Sequence, residues 1–346
     1  MNTIKIGHLV LAENSRPFII AEAGVNHDND LSLAKRMIDK ATEGKADAIK
    51  FQTYKAEKIA ANKSPAYWDA TETQRDYFEK YDKFDEADYR ELADYADKKG
   101  ILFMSTPFDF QAADMLDELV EVFKVSSSDI TNTPFLRHIA RKDKPIILST
   151  GASTIGEIEN ATIAIEGEGN NKLVLLHCVL SYPTAFEDAN LKMIEHLAAV
   201  FPRYLIGYSD HTKPDKNMLT LTAAAMLGAK VIEKHFTYDK SLKGNDHYHA
   251  MDFKDLKTLN GNLDLLDKIL GSEIKRPVTS ELKARLYARR SIVADIDIPK
   301  GTLISENMLT FKRPSTGISP IYLEIVLQRT AKKPIKKDQI LTWNDV

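Results

Sequence analysis

LIGYSDHT (residues 205–212) and AKVIEKHF (229–236) decide the fold. Each starts as an apolar run and closes on a histidine, His211 in the first and His235 in the second. If the two runs are neighbouring strands of one parallel sheet, their C-terminal ends lie at one edge and the imidazoles emerge together. Six more runs share this build: PFIIAEAG (17–24), DAIKFQTY (47–54), ILFMSTPF (101–108), EVFKVSSS (121–128), PIILSTG (145–151) and KLVLLHCV (172–179). Buried parallel strands read as near-continuous apolar stretches. A polar change confined to the last residues of every run therefore marks a shared rim.

Helix-period stretches separate the runs. In LSLAKRMIDKATEG, Leu31, Ala34, Met37, Ile38 and Ala41 recur at three- and four-residue spacing, and IGEIENATIAI, LKMIEHLAAVF and NMLTLTAAAMLGA read the same way. Strands and helices alternating eight times over roughly 230 residues imply an α/β protein built as a (β/α)8 TIM barrel, whose active site belongs at the C-terminal ends of the strands. A doubly wound sheet is the alternative. A short hairpin over residues 3–12 precedes the barrel and a helix over 252–271 closes it. The expected division is a catalytic barrel at 1–272, a linker at 273–286 and a small β-rich domain at 287–346. With about 60 residues, that tail buries only a modest core of its own.

The rim sorts into two chemical zones. Lys50, Gln52, Thr106, Lys124, Ser127, Ser149 and Ser209 offer ammonium groups, hydroxyls and an amide, which suit a phosphate and a carboxylate. The competing view pairs Lys50 and Lys124 with rim carboxylates such as Glu22 or Glu233. Glu22, Asp210, His211 and His235, with Asp246 nearby, form the second zone, able to hold a Lewis-acid metal and a general base. His27, His247 and His249 stay outside this set, since a single histidine is more often hydrogen-bonded structure than ligand.

Composition narrows the possible partners. The 346 residues are 43% hydrophobic and 28% charged, with a formal net charge of −3, so no global field draws the chain to nucleic acid or an anionic membrane. One cysteine, Cys178, excludes an intramolecular disulfide, suits a reducing compartment and reads as a buried strand residue. With no signal-like or membrane-spanning apolar stretch, a cytoplasmic location is expected.

Taken in order, IIAEAGVNH, KFQTY, STPF, KVSSSD, KPIILSTG, HCVLSYPT, GYSDHT and EKHF resemble the sialic acid synthase family, and SIVADIDIPKG and KRPSTGISP resemble its antifreeze-like (SAF) domain. The resemblance spans essentially the whole chain. It implies condensation of phosphoenolpyruvate with an N-acylated mannosamine-type sugar, giving a nonulosonic acid and phosphate with C–O cleavage. It implies Mn²⁺ or Mg²⁺ held by His211 and His235, and phosphoenolpyruvate held by Lys50, Gln52, Thr106, Lys124, Ser127 and Ser149. Glu22 falls between the substrates as a candidate for proton handling. Asp129, Tyr182, Asp246 and Arg313 match positions toward the sugar. Arg313 is expected to come from a partner subunit in a domain-exchanged homodimer.

Two positions depart from the family. Ser126-Ser127-Ser128-Asp129 stands where GSGE is frequent, and Leu180 stands where a hydrogen-bonding residue is common. A leucine there suits a greasier acceptor, such as a 6-deoxy diacetamido sugar; if Leu180 instead points into the barrel, N-acetylmannosamine itself is the expected acceptor. Two alternatives remain: the same condensation on a 6-phosphorylated sugar, with Lys213 and Lys243 as its cations, and a non-catalytic carbohydrate-binding or coat protein of the same fold.

Overall fold

The computed structural model describes residues 2–66, 71–244 and 246–346. The chain forms two compact units, one running to Leu270 and the other from Gly271 to Val346. The expected eight strands are all present in the first: β3 (Phe18–Gly24), β4 (Ala48–Thr53), β5 (Leu102–Pro107), β6 (Phe123–Val125), β7 (Ile146–Ser149), β8 (Leu173–Cys178), β9 (Leu205–Asp210) and β10 (Val231–His235). They follow the hairpin of β1 (Thr3–Ile6) and β2 (Leu9–Ala12). Pairing is parallel throughout, in the order β5-β4-β3-β10-β9-β8-β7-β6. β5 and β6 lie side by side at the ends of this order, so the sheet is a nearly closed barrel.

Strand parity divides the side chains. On β3, Phe18 and Ile20 turn into the barrel, whereas Ile19, Ala21 and Ala23 pack outward on the helices. The inward set continues around the ring with Ala48, Met104, Val122, Ile147, Val174, Leu176, Leu205 and Val231. Ile4, Ile6 and Leu11 of the β1–β2 hairpin join the same cluster and plug the barrel floor. The wall is tightly packed at Gly207, where a Cβ would stand 2.5 Å from both Leu176 Cδ2 and the Val231 carbonyl oxygen.

The outward set packs beneath amphipathic helices. Asp30 caps the helix Leu31–Glu43 by accepting from the amides of Ser32 and Leu33, and this helix buries Ala34, Met37, Ile38 and Ala41. Thr154 and Glu157 form a capping box at the start of Ile155–Glu166. Among the described residues, no helix is long and apolar enough to cross a membrane.

In the second unit, β11 (Ser291–Ala294) pairs antiparallel with β12 (Leu309–Lys312) over a core that includes Ile292, Ile298, Ile304, Ile318, Ile335 and Leu341. The segment expected to link the domains includes a helix, Leu282–Ala288, whose final carbonyls at Arg285 and Leu286 accept from the Ser315 hydroxyl. Those residues are therefore tied into the second unit. Arg313, at the exit of β12, is exposed on that unit.

Candidate active site

Two steps of parity beyond the apolar floor, the inward positions become polar. β3 supplies Glu22, β4 Lys50 and Gln52, β5 Thr106, β6 Lys124, β7 Ser149, β9 Ser209, and β10 Glu233 and His235. On their own strands these groups begin one inward position beyond the apolar floor, and the register is staggered around the barrel, Glu233 pairing with Ile20, Lys50 with Met104, Lys124 with Ile147 and Ser149 with Leu176.

At their centre is a buried quartet of alternating charge. Lys50 Nζ lies 2.5 Å from Glu22 Oε2 and 3.6 Å from Glu233 Oε1, and it donates to Thr106 Oγ1 at 3.0 Å. Lys124 Nζ lies 3.8 Å from the same Glu233 oxygen and donates to Ser149 Oγ at 2.8 Å and the Val125 carbonyl at 3.0 Å. Ser209 Oγ donates to Glu233 Oε1 and Gln52 Nε2 to Glu22 Oε1. Burial sets the protonation. It lifts the Glu22 carboxyl to about 7, against the pull of Lys50, and depresses the Lys124 ammonium. On Glu233 the desolvation penalty is outweighed by Lys124 and Lys50, which hold the group ionised. The quartet thus sets two lysines against one carboxylate held ionised and one carboxyl raised toward neutrality, an arrangement with room for an anion.

Glu233 was the most consequential omission from the expected site: sequence placed it only as a counter-ion to the lysines. It is indeed that, but it also lies at the centre of the set. Its inward parity, two residues before His235, was the available signal. The opposite correction applies to Asp210, and His177 behaves like it. Asp210 points outward, salt-bridged to Lys234 at 2.6 Å and bonded to Tyr208 and Thr212. His177 bonds to the Ala189 carbonyl. Both stabilise the wall rather than face the lumen, because an inward-facing position on either strand is one residue away.

The histidines gather above the quartet. His211 donates Nδ1–H to the Val179 carbonyl at 2.7 Å, so Nε2 is the ring nitrogen left for a ligand. The rings of His211 and His235 lie 5.5 Å apart, and Tyr182 packs 4.2 Å from the first. Asp246 reaches His235 Nδ1 at 3.4 Å, while burial raises its own carboxyl to about 6. Asn245, from the same GNDH motif, lies outside the described residues. Burial, with His249 and His211 nearby, pushes the His235 imidazole well below its ordinary value, so it is neutral. Neutral, buried nitrogen beside hard carboxylate oxygen is a donor set that fits a divalent transition ion.

Two connected spaces complete the site. An inner pocket of about 50 Å³ is enclosed by the quartet, Thr106, Ser127, Ser149, Ser209 and Cys178. Ser127 Oγ is fixed there by accepting from the Gly151 amide. Above it opens a cavity of about 900 Å³, which holds Asp129 and Asp246. Gln52, Phe108, Ser126, Leu180, Tyr182 and His235 line both, so the inner pocket opens through the outer one. Lys213 and Lys243 line neither.

The NeuB family model matches residues 37–275 and the SAF domain model matches residues 289–346. The chain belongs to the NeuB family. It is 41% identical to the N,N'-diacetyllegionaminic acid synthase of Campylobacter jejuni over 94% of this chain and 99% of that protein. It is 40% identical to the enzyme of the same name from Legionella pneumophila, over 95% and 94% of the two chains. Among solved structures, the N-acetylneuraminic acid synthetase of Leptospira borgpetersenii, crystallised with citrate, superposes with a TM-score of 0.73 at 38% identity, covering 82% of this chain and 95% of that one. As a NeuB-family member the protein is an enzyme of the nonulosonic acid synthase class.

Proposed function

We propose that the protein condenses phosphoenolpyruvate with a 2,4-diacetamido-2,4,6-trideoxymannose-type sugar to give a legionaminic-type nonulosonic acid and phosphate. The observation that carries the choice of sugar is the lining of the outer cavity. Val25, Tyr54, Ile59, Phe78, Phe108 and Leu180 present aromatic and aliphatic surface between polar groups such as Gln74, Asn132 and Asp129, and among the described lining residues Lys58 is the one cation. Such walls accommodate acetamido methyls and a 6-methyl group, whereas a 6-phosphate needs a cluster of donors. The relatives named as legionaminic acid synthases support the same choice.

The chain's own groups account for the chemistry. Lys50 and Lys124, with Thr106 and Ser149, hold the phosphate and carboxylate of phosphoenolpyruvate in the inner pocket. The sugar lies above it as an open-chain aldehyde, with Asp129, Tyr182 and Asp246 at the cavity wall. A C–C bond forms between C3 of phosphoenolpyruvate and the aldehyde carbon, and the aldehyde oxygen takes up a proton to become a hydroxyl. Water adds at C2 and loses a proton. The C2–O bond to phosphate then breaks, the hemiketal proton leaves and the ketone forms. Glu22, half-titrated near neutrality beside Lys50, is placed to take the proton from water. When bound at His211 and His235, Mn²⁺ or Mg²⁺ supplies Lewis-acid polarisation of the aldehyde. Holding both reactants in one barrel mouth contributes orientation.

A domain-exchanged homodimer in a cytoplasmic setting, with exposed Arg313 serving the partner's sugar site, belongs to the same reading. The test is phosphate release from phosphoenolpyruvate with Mn²⁺, offered N-acetylmannosamine, its 6-phosphate or the diacetamido sugar. Release that requires the diacetamido sugar and stops with EDTA is the expected result. Preference for either other sugar refutes the assignment.

A further inference from the structure

His249 carries a burial cost that nothing among the described residues offsets. It is 0% exposed, and neither ring nitrogen has a hydrogen-bond partner. Leaving a buried polar group unpaired forfeits its hydration without return, and His249 has two such atoms. Other histidines in this loop are satisfied at one nitrogen at least: His247 Nδ1 bonds to Thr237 Oγ1 at 2.8 Å. The orphaned ring is also not isolated. It stands 4.9 Å from the ring of His235, whose Nδ1 is likewise without a hydrogen bond, and Asp246 Oδ1 is 3.8 Å from His249 Nε2. One ligand atom from each of His235, Asp246 and His249 falls within 4.8 Å of the others. Three donors around a common point, two of them unpartnered and buried, match the spacing of ligands about one ion, where metal–nitrogen bonds run to about 2.1 Å.

We infer that His249 is a ligand of the ion that His235 also holds, together with the Asp246 carboxylate; these three residues offer donor atoms within 4.8 Å of one another, a group that does not take in His211. The inference rests on the metal-bearing reading of the site. Its consequence is selectivity. Imidazole suits Mn, Fe, Co and Zn, whereas Mg²⁺ favours an oxygen octahedron and keeps its waters. The added imidazole of His249 therefore makes the centre discriminate against Mg²⁺ more strongly than it would without that ligand.

Metal binding to the purified full-length protein, stripped with chelator, tests this without recourse to turnover. Co²⁺ is titrated and followed by its visible absorption, and Mn²⁺ and Mg²⁺ are titrated calorimetrically. His249→Ala, His249→Phe and His235→Ala are run beside the wild type. Wild type is expected to bind one Co²⁺ per chain at least tenfold more tightly than His249→Ala, with a changed band pattern in the variant and Mg²⁺ affinity nearly equal in the two. Thermal melting separates ligand from scaffold. The metal-free melting temperature of His249→Phe should equal or exceed that of wild type, while the rise on adding Co²⁺ shrinks. Equal Co²⁺ affinity and spectra in wild type and His249→Ala overturn the inference while leaving the two-histidine centre intact. A metal-free melting temperature that falls in both His249 variants, with an undiminished Co²⁺-induced rise, overturns it in favour of a structural role. Absence of Co²⁺ and Mn²⁺ binding in wild type overturns the metal-bearing reading itself, and with it this inference.

Discussion

Glu233→Gln probes the charge quartet most directly. Glutamine keeps the shape and can still bond to Ser209, but it removes the one carboxylate placed between the two ammonium groups, 3.6 Å from Lys50 and 3.8 Å from Lys124. Lys50 keeps Glu22 at 2.5 Å, while Lys124 retains only the Ser149 hydroxyl and the Val125 carbonyl. All these groups are buried, so solvent screening does not blunt the loss. Breaking a buried ion pair by removing one partner costs about 3–5 kcal/mol. Deprotonation of Lys124 limits the cost. Taking a lysine of ordinary pKa 10.4 to the neutral form at pH 7 costs about 4.6 kcal/mol at 1.36 kcal/mol per unit, so the loss cannot much exceed that. At about 2–4 °C per kcal/mol for a domain of this size, the melting temperature should drop by about 6–18 °C.

The pH dependence carries the sign. Burial already holds the Lys124 ammonium below its ordinary value in the wild type, and losing Glu233 depresses it further. The unfolded chain then binds more protons than the folded one between the folded and the ordinary lysine value. Stability of the variant relative to wild type should therefore climb with rising pH across that window, by at most about 1.4 kcal/mol per unit. Inorganic phosphate should restore more melting temperature to the variant than to wild type, because it supplies the missing negative charge. Differential scanning fluorimetry at several pH values, with and without phosphate, reads all three effects. A melting temperature within 1–2 °C of wild type, flat with pH and indifferent to phosphate, would show that Glu233 does not hold the lysines.

Two further perturbations address neighbouring parts of the barrel. Glu22 titrates at about 7 because it is buried, so a proton-accepting role makes kcat/KM rise with pH below that value and level off above it; the rising limb should be absent from the pH profile of Glu22→Gln, and an identical limb in the variant refutes the role. Gly207→Ala drives a methyl into Leu176 and the Val231 backbone, neither of which has room to move, and should destabilise by about 1–3 kcal/mol in thermal melting; an unchanged melting temperature would mean that the lumen is looser than the structure shows.

The barrel was legible because strand period and helix period are local properties of sequence. Each apolar run became a strand, and the helix proposed from Leu31, Ala34, Met37, Ile38 and Ala41 buries that face almost as written. What sequence blurred was parity at the rim. Polar residues such as Asp210, Ser209 and His211 follow one another, and only the ladder register decides which point inward. The Gly24 turn shows why guessing fails there: the β3–β4 register shifts between Glu22 and Gly24, and Gly24 takes a positive φ of 54°. A residue count carried through that irregularity assigns the wrong face beyond it.

Loop residues were harder still, for a different reason. His249 lies outside any strand, so no period announces where it points, and a lone histidine in a loop is ordinarily discounted. Its position follows from tertiary bonds: the Met251 amide donates to the His235 carbonyl and the Thr237 amide to the Met251 carbonyl. These two contacts fold the segment after β10 back over the end of that strand. They bring His249 beside His235, although the barrel pattern alone gives no reason for the two to meet. The same fold-back sets Asp246 at the mouth of the inner pocket. On the proposed reading, the barrel supplies the anion-binding floor and this loop the metal-ligating roof. Changes confined to residues 236–251 should then retune ion and sugar binding without disturbing the lysines below.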